Sequence, residues 1–380
     1  MPTGTATTYG LTVGTKLNVE DFIYILTPTD VPLLGTYNGF DNVPPGKNVS
    51  ILGREDVDEI KVEWQEEELI PARSTLATSI ADSTATAVVV ATGHGIRFQK
   101  GHVIKIEDEF MRVSSVATDT LTVTRAFAGT AVAHTVTGAT TQVVGVGTAL
   151  AEGSDPEAAR TKDRVMSHNF TEIFGPYAIT LSGTENVVAK YGVTNEFDKQ
   201  SANRLKEMMI EIEQMLMYGV RVNDTSNSWR TAGGFTFYVT TNVDSSTTAL
   251  TETTLLAQMQ ASYDNGGVPD LIVTNPTQKR KISAFGSSGV RIAQADNVRG
   301  TVVDTYLSDF GTIDVVMSRH VRLQNLFIAD KQYWSLGTLR PLEIEALAKT
   351  GDSIKAEVVC EKTSKVRLEK RHALFTALAA

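Results

Sequence analysis

Cysteine is nearly missing from this 380-residue chain. Cys360 is the single one, so neither an intramolecular disulfide framework nor a multi-cysteine zinc site can be built. Basic charge is not in excess either: 35 Lys and Arg stand against 44 Asp and Glu, a net charge of −9. That balance argues against a general nucleic-acid-binding surface, though not against a local basic patch. No segment approaches the ~18 consecutive apolar residues that a membrane span needs. The most apolar short run, Ala85 to Ala91, is broken by Thr86 and has strand length. The first ten residues, MPTGTATTYG, hold neither a basic nor a hydrophobic region, so no secretory signal is expected there. With one thiol, this predicts assembly in a reducing cytoplasm.

The motifs of common chemistry are missing as well. Pro45-Gly46-Lys47-Asn48 lacks the earlier glycine and the following Ser or Thr of a phosphate-binding loop. The glycine pairs Gly145/Gly147 and Gly233/Gly234 read as turns and bends. The six histidines, His94, His102, His134, His168, His320 and His372, form no H-x-x-x-H pair, so no helical metal face exists. His94 and His102 could meet, but solvated strand histidines are far commoner. Cys360 falls on the apolar face of an alternating stretch and reads as a small buried hydrophobe rather than a nucleophile. No G-x-S-x-G elbow occurs. The acidic run from Glu55 to Glu68 lacks glycine turns at ligand spacing and reads as a solvated or partner-facing surface. We therefore expect no catalytic residue, no metal and no cofactor.

What is present is an ordinary folding composition, 42% hydrophobic and 21% charged, in a chain long enough to bury a large core. To about Asn42 the apolar residues are scattered, apart from a short helical spacing at Val19 to Leu26 that Pro28 and Pro32 stop. Val49 and Ile51 alternate, and so do Ile60, Val62 and Trp64, which predicts an extended, acidic hairpin arm. From about Leu76 to Gly147, Thr, Val, Ala and Gly dominate and helical periodicity vanishes. Alternation at 103–107, 111–115 and 121–125 predicts an inserted all-β module. The strongest helix signal runs from Asn195 to Tyr218, with Phe197, Ser201, Leu205, Met208, Ile212, Met215 and Leu216 on one stripe. Asn195 suits the N-cap, Asp198 the first turn and Gly219 the C′ position. Further helices fit Thr253 to Tyr263 and Asn275-Pro276 to Phe285. Strands follow at 301–307, 312–317, 326–329 and 333–336. A last one alternates at Ile354, Ala356, Val358 and Cys360, with a turn near Thr363-Ser364 before Val366 and Leu368. Lys362, Lys365, Arg367, Lys370 and Arg371 make this end basic. A nucleic-acid contact is one reading. The net charge favours another, a surface complementary to the acidic hairpin of another subunit.

The stretch from Asn169 to Gly219 resembles the signature of a family of tailed-phage major capsid proteins. The residues that carry it are Phe170 to Phe174, Ser182 to Thr184 and Tyr191-Gly192, leading into the long helix. Ile25 to Leu33 resembles the family's arm motif. Ser308 to Thr312, Leu339-Arg340-Pro341 and Leu347 to Asp352 resemble its C-terminal motifs, in the family's order. The resemblance implies an α+β, Hong-Kong-97-type capsid fold with an inserted small all-β domain. Its parts are an N-terminal arm (1–42), an extended loop or E-loop (43–75 and 148–180) and the β-insert (76–147). A peripheral domain with the spine helix 195–218 takes 181–230 and 346–380, and an axial domain takes 231–345. The insert reads as an elaboration of the E-loop.

The implied function is a major capsid protein that self-assembles, without enzymatic activity, into the icosahedral head shell of a tailed double-stranded DNA phage. Implied partners are further copies in pentamers and hexamers, portal and scaffold proteins, a decoration protein, and packaged DNA held without sequence recognition. No membrane is implied. The alternative is an encapsulin-like nanocompartment of the same fold. A β-rich adhesin and a carbohydrate-acting enzyme using the acidic run are more distant readings. Because E-loops of this fold reach over adjacent subunits, Glu63, Glu66, Glu67, Glu68, Lys365, Arg367 and Arg371 are the expected intersubunit contacts.

Overall fold

The computed structural model describes residues 30–34, 51–136, 141–155, 164–190, 193–285 and 305–379. The short helix expected at Val19 to Leu26, most of the arm, the Tyr191-Gly192 pair and the start of the 301–307 strand lie outside these residues. The chain forms two compact units, Gln65–Met166 and the remainder.

The acidic hairpin expected between 49–51 and 60–64 does not form. Strand β1 (Gly53–Asp56) pairs in parallel with a strand near the C-terminus, and β2 (Lys61–Glu66) pairs with the strand that returns after the smaller unit. Long-range partners outcompete the local turn because Leu52 and Val57, beside β1, are buried.

The smaller unit holds six strands: β3 (Arg73–Thr75), β4 (Ala87–Val89), β5 (His102–Ile106), β6 (Glu109–Ala117), β7 (Thr120–Ala128) and β8 (Gln142–Thr148). Their order is β3-β8-β5-β6-β7-β4, with every pairing in it antiparallel. Leu76 bridges Val90 beyond the ends of β3 and β4, Ala77 N donates to Val89 O at 2.8 Å, and Ala91 N donates to Thr75 O at 3.1 Å. The sheet therefore returns on itself as a small barrel, filled by Val88, Phe98, Ile104, Ile106, Met111, Val113, Leu121, Val123 and Val143. The alternation in the sequence places these side chains inside, as a strand's period of two requires. Gly95 is there because of crowding: a Cβ on it would lie 1.6 Å from Thr118 O at the β6–β7 turn.

The larger unit contains two main sheets, of four and six strands, and two two-stranded pairings. Strand β9 (Val165–Phe170) is the partner of β2, and β10 (Glu172–Ser182) leads to a short helix α1 (Gly183–Val187). Helix α2 (Glu196–Tyr218) then spans 23 residues. The Asn195 side chain accepts from Phe197 N, and Glu196 and Asp198 lie in the first turn, favourable places for carboxylates against the helix dipole. Gly219 ends the helix with φ −53°, so no left-handed turn is involved. Glycine is needed because a Cβ would meet Ala232 O at 2.4 Å and Met215 O at 2.7 Å. A hairpin, β11 (Val222–Asp224) and β12 (Trp229–Thr231), precedes α3 (Phe235–Tyr238) and β13 (Val243–Asp244). Helix α4 (Glu252–Asp264) starts at a Thr251–Thr254 capping box, β14 (Leu271–Thr274) follows, and α5 (Pro276–Phe285) begins with the Asn275 side chain accepting from Thr277 N.

Strands β15 (Thr305–Ser308), β16 (Gly311–Met317), β17 (Leu326–Ala329), β18 (Trp334–Ala346), β19 (Ser353–Val366) and β20 (Ala373–Phe375) complete the chain. One sheet has the order β1-β18-β19-β10 and the other β13-β20-β17-β14-β16-β15. The turn expected near Thr363-Ser364 does not exist. Both residues are fully buried within β19, opposite Gly337 and Leu336, and their hydroxyls are satisfied by Phe170 O and Trp334 Nε1. Polar residues here mark a strand covered on both faces. Helix α2 lays Met208, Met209, Ile212, Met215 and Leu216 into one core with Phe174, Ile179, Val358 and Cys360. Each such fully buried side chain contributes about 1.5–3 kcal/mol.

Candidate assembly surfaces and relatives

Opposite charges do meet, but within the chain. Glu55 on β1 receives Lys365 Nζ at 2.8 Å and Arg367 Nη2 at 2.5 and 2.6 Å, and Ser335 Oγ donates to it at 2.9 Å. Partial burial works to raise its pKa, but Arg367, Lys365 and Ser335 hold it down at about 2. Lys365 and Arg367 thus stand two residues apart on one side of the chain and share one carboxylate of their own subunit. Arg371 does not continue that face. It lies in a 3-10 turn after β19, donates to Asp330 Oδ2 at 2.9 Å and stacks over the Tyr333 ring at 4.1 Å. Lys362, counted with the basic run, is buried and donates to Thr338.

The acidic members stand elsewhere. Glu63 pairs with Lys61 on β2. Glu67 meets Arg164 Nε at 3.2 Å with both side chains more than half exposed, and Glu68 lies 3.9 Å from Arg97. Glu66 is half-buried at the end of β2. Within one chain, these candidate intersubunit residues thus have partners of their own: Lys365 and Arg367 share Glu55, Arg371 takes Asp330, and Glu63, Glu67 and Glu68 each meet a different cation. Pairs as exposed as Glu67–Arg164 contribute only ~0–1 kcal/mol each.

Three buried polar centres went unread in the sequence. In the barrel, Glu109 accepts from Arg125 Nε and Nη2, both at 2.7 Å, from His134 Nε2 at 2.9 Å and from the amides of Ala126 and Val132. Burial opposes ionisation, but these donors outweigh it and keep the carboxyl at about 2. His134 Nδ1 also faces Glu107 Oε2 at 3.0 Å. In the larger unit, Glu361 joins Thr171 and Arg230, tying β19 to the start of β10 and to β12.

The third centre is Glu213, on α2. It accepts from Leu33 N at 3.2 Å and Ser318 Oγ at 2.8 Å. Burial pushes its pKa up to about 7, against those hydrogen bonds and with help from Asp30. It secures the arm segment whose Val31, Leu33 and Leu34 enter the core. His320 Nε2 lies 3.0 Å from Asp30 O, and Arg54 Nη2 donates to Leu34 O at 2.9 Å. A carboxylate four residues after Met209 and four before Met217, inside an apolar stripe, is the sequence signal that could have pointed to it.

Chemistry is otherwise sparse. Cys360 is fully buried against Met208 Sδ at 3.4 Å, and burial pushes its thiol up to about 12, as suits an inert core residue. His94 Nδ1 pairs with Ser74 Oγ at 2.9 Å, and His102 Nδ1 accepts from the Gln99 amide at 3.3 Å. Among the described residues no group of three His, Cys, Asp or Glu is placed to hold a metal ion, and no helix is long and apolar enough to cross a membrane. The surface instead displays large apolar side chains: Leu69 at 82% exposure, Val187 at 83%, with Trp229, Phe127, Val146 and Leu307 at 50% or more. Of these, Phe127 and Val146 line one groove on the barrel, and contiguous exposed apolar surface of that kind marks an interaction site.

Comparison with known proteins agrees with that display. No curated protein matches the sequence. The capsid of cyanophage A-1(L) superposes with a TM-score of 0.56 at 10% identity, over 99% of this chain and 100% of that one. A structure from Microbacterium phage Oxtober96 gives 0.51 at 9% identity, over 97% and 98%. An encapsulin of Synechococcus elongatus covers only 58% of this chain and 77% of its own, at a TM-score of 0.41 and 9% identity. The fold is of the Hong-Kong-97 type. The family described as SU10 major capsid protein matches residues 1–379, and the chain belongs to that family of shell-forming virion proteins.

Proposed function

We propose that this chain builds the icosahedral head of a tailed double-stranded DNA phage, assembling in the host cytoplasm without catalysis of its own. The observation that carries the reading is the family match along essentially the whole chain. Several features support it. Large apolar side chains stand exposed on both units, as lateral contacts in a closed shell require. An acidic balance suits a wall that must not trap DNA during packaging. Portal and scaffold proteins and a decoration protein are the partners such a head needs. The sheet β1-β18-β19-β10 with α2 fits the peripheral region and the sheet β13-β20-β17-β14-β16-β15 the axial region, which moves β18 out of the axial range 231–345 and β20 into the axial region. The barrel, from β3 to β8, is the elaboration of the E-loop.

The test is electron microscopy of the purified chain at rising concentration. Closed shells or capsomers are expected. A strictly monomeric chain at high concentration overturns the proposal.

A further inference from the structure

The barrel is already filled, yet its outer wall is also apolar at one place. Val103, Phe110, Phe127 and Val146, from β5, β6, β7 and β8, line a shallow groove of about 330 Å³. Phe127 and Val146 are half exposed. An outward position on a small barrel is ordinarily polar, because water is its neighbour. The cations beside the groove are Lys105 and Arg112; of the nearby carboxylates, Glu109 is turned inward to Arg125, Glu107 faces His134, and Asp108 is exposed at the β5–β6 turn. Lys105 Nζ lies 5.5 Å from the Phe110 ring centroid, and Arg112 donates to Ala149 O at 2.8 Å. An apolar floor with a cationic rim fits an apolar residue preceded by carboxylates.

The chain itself carries such a segment. Glu66, Glu67, Glu68, Leu69 and Ile70 run consecutively, and Leu69 is 82% exposed. We propose that the outer groove of each barrel receives the Glu66–Ile70 segment of a second copy, with Leu69 on the apolar floor and the glutamates toward Lys105 and Arg112. The proposal rests on the shell reading. It gives the acidic run other cations than Lys365 and Arg367, which Glu55 of their own chain holds. It also requires Glu67 and Glu68 to exchange their exposed own-chain partners Arg164 and Arg97 for those of the second copy. The apolar contact supplies the affinity, and the charges set the register and the salt dependence.

The experiment uses two full-length variants, Leu69→Cys and Val146→Cys, carrying different tags and assembled together in equal amounts. Cys360, fully buried, stays silent. Mild oxidation of the mixed shells is expected to give a disulfide-linked dimer containing one of each tag. A Thr92→Cys chain, with an exposed thiol away from the groove, is expected to give at least tenfold less with the Leu69→Cys chain. Val146→Cys is also expected to lose reactivity toward a soluble thiol reagent on assembly. Shells that form normally without the mixed dimer, or in which Val146→Cys stays fully reactive, overturn this inference and leave the shell reading standing. A mixture that forms no shells under conditions where the parent does, with both variants folded by circular dichroism, places the two positions in some other contact and also overturns it. A parent chain that forms no shells overturns both.

Discussion

The substitution Glu213→Gln separates the two roles of that buried carboxyl, as hydrogen-bond acceptor and as charge. In the fold its pKa rises from 4.5 to about 7, chiefly because burial penalises the ionised form. At about 1.4 kcal/mol per pH unit of displacement, ionising it costs the fold ~3 kcal/mol. The sign follows from proton linkage. Between 4.5 and 7 the folded chain binds more protons than the unfolded one, so stability falls as pH rises through this window. The contribution is fully present below about 4.5 and gone above about 7. Glutamine keeps an oxygen for Leu33 N, and its amide can donate to Ser318 Oγ, so the arm stays anchored without the charge. Urea denaturation of the unassembled protein at pH 5 and pH 8 measures the effect. The parent should lose about 2–3 kcal/mol more than Glu213→Gln between the two. Taking the difference between variants cancels the other titrating groups. If the two proteins show the same pH dependence within about 0.5 kcal/mol, the carboxyl is not held neutral and the reasoning fails.

Removing one side of the barrel's ion pair should be far more damaging than changing a surface charge. Glu109→Ala leaves Arg125 buried without its partner and should cost about 3–5 kcal/mol, read as lost thermal stability of the barrel, whereas Glu67→Ala should change it by less than about 1 kcal/mol. Excision of residues 65–166, with a short turn joining Trp64 to Ser167, should leave the larger unit folded, because β2 and β9 already pair beside the cut. Far-ultraviolet circular dichroism should retain the signal of α2, and loss of that helix would show that the barrel is required for it.

Local chemistry explains how much of the fold was readable. Helix α2 announced itself through its stripe, its Asn195 cap and its length, α4 through the glycines that stop it, and α5 through Asn275-Pro276 at its start, while the Thr251–Thr254 capping box of α4 went unread. Barrel strands β5, β6 and β7 were visible because alternation reports the two sides of a sheet, whereas β3 and β8 carried no such signal. Pairing between distant strands was not visible. Nothing local tells β1 to lie beside β18, so the acidic hairpin was drawn where none forms. Thr363 and Ser364 look like a turn because their buried partners, Phe170 O and Trp334, lie far away in sequence. The charged surface suffered the same limit. A run of cations at Lys365 to Arg371 shows that anions are wanted, but Glu55 and Asp330 are identified only once the chain has folded. Glu109 and His134 are 25 residues apart and carry no spacing that would join them.

The Leu76–Val90 bridge that shuts the barrel has a consequence for a protein that lives among its own copies. A shell holds identical chains side by side at very high local concentration. Any strand left open along its length would present unpaired amides and carbonyls to the same strand of its neighbours, and backbone pairing does not discriminate between correct and incorrect partners. In the barrel those groups are turned toward one another within a single chain. What the module offers its surroundings is therefore side chains, whose shape and charge can tell one contact from another. Crowding then promotes the intended lattice instead of a fibre.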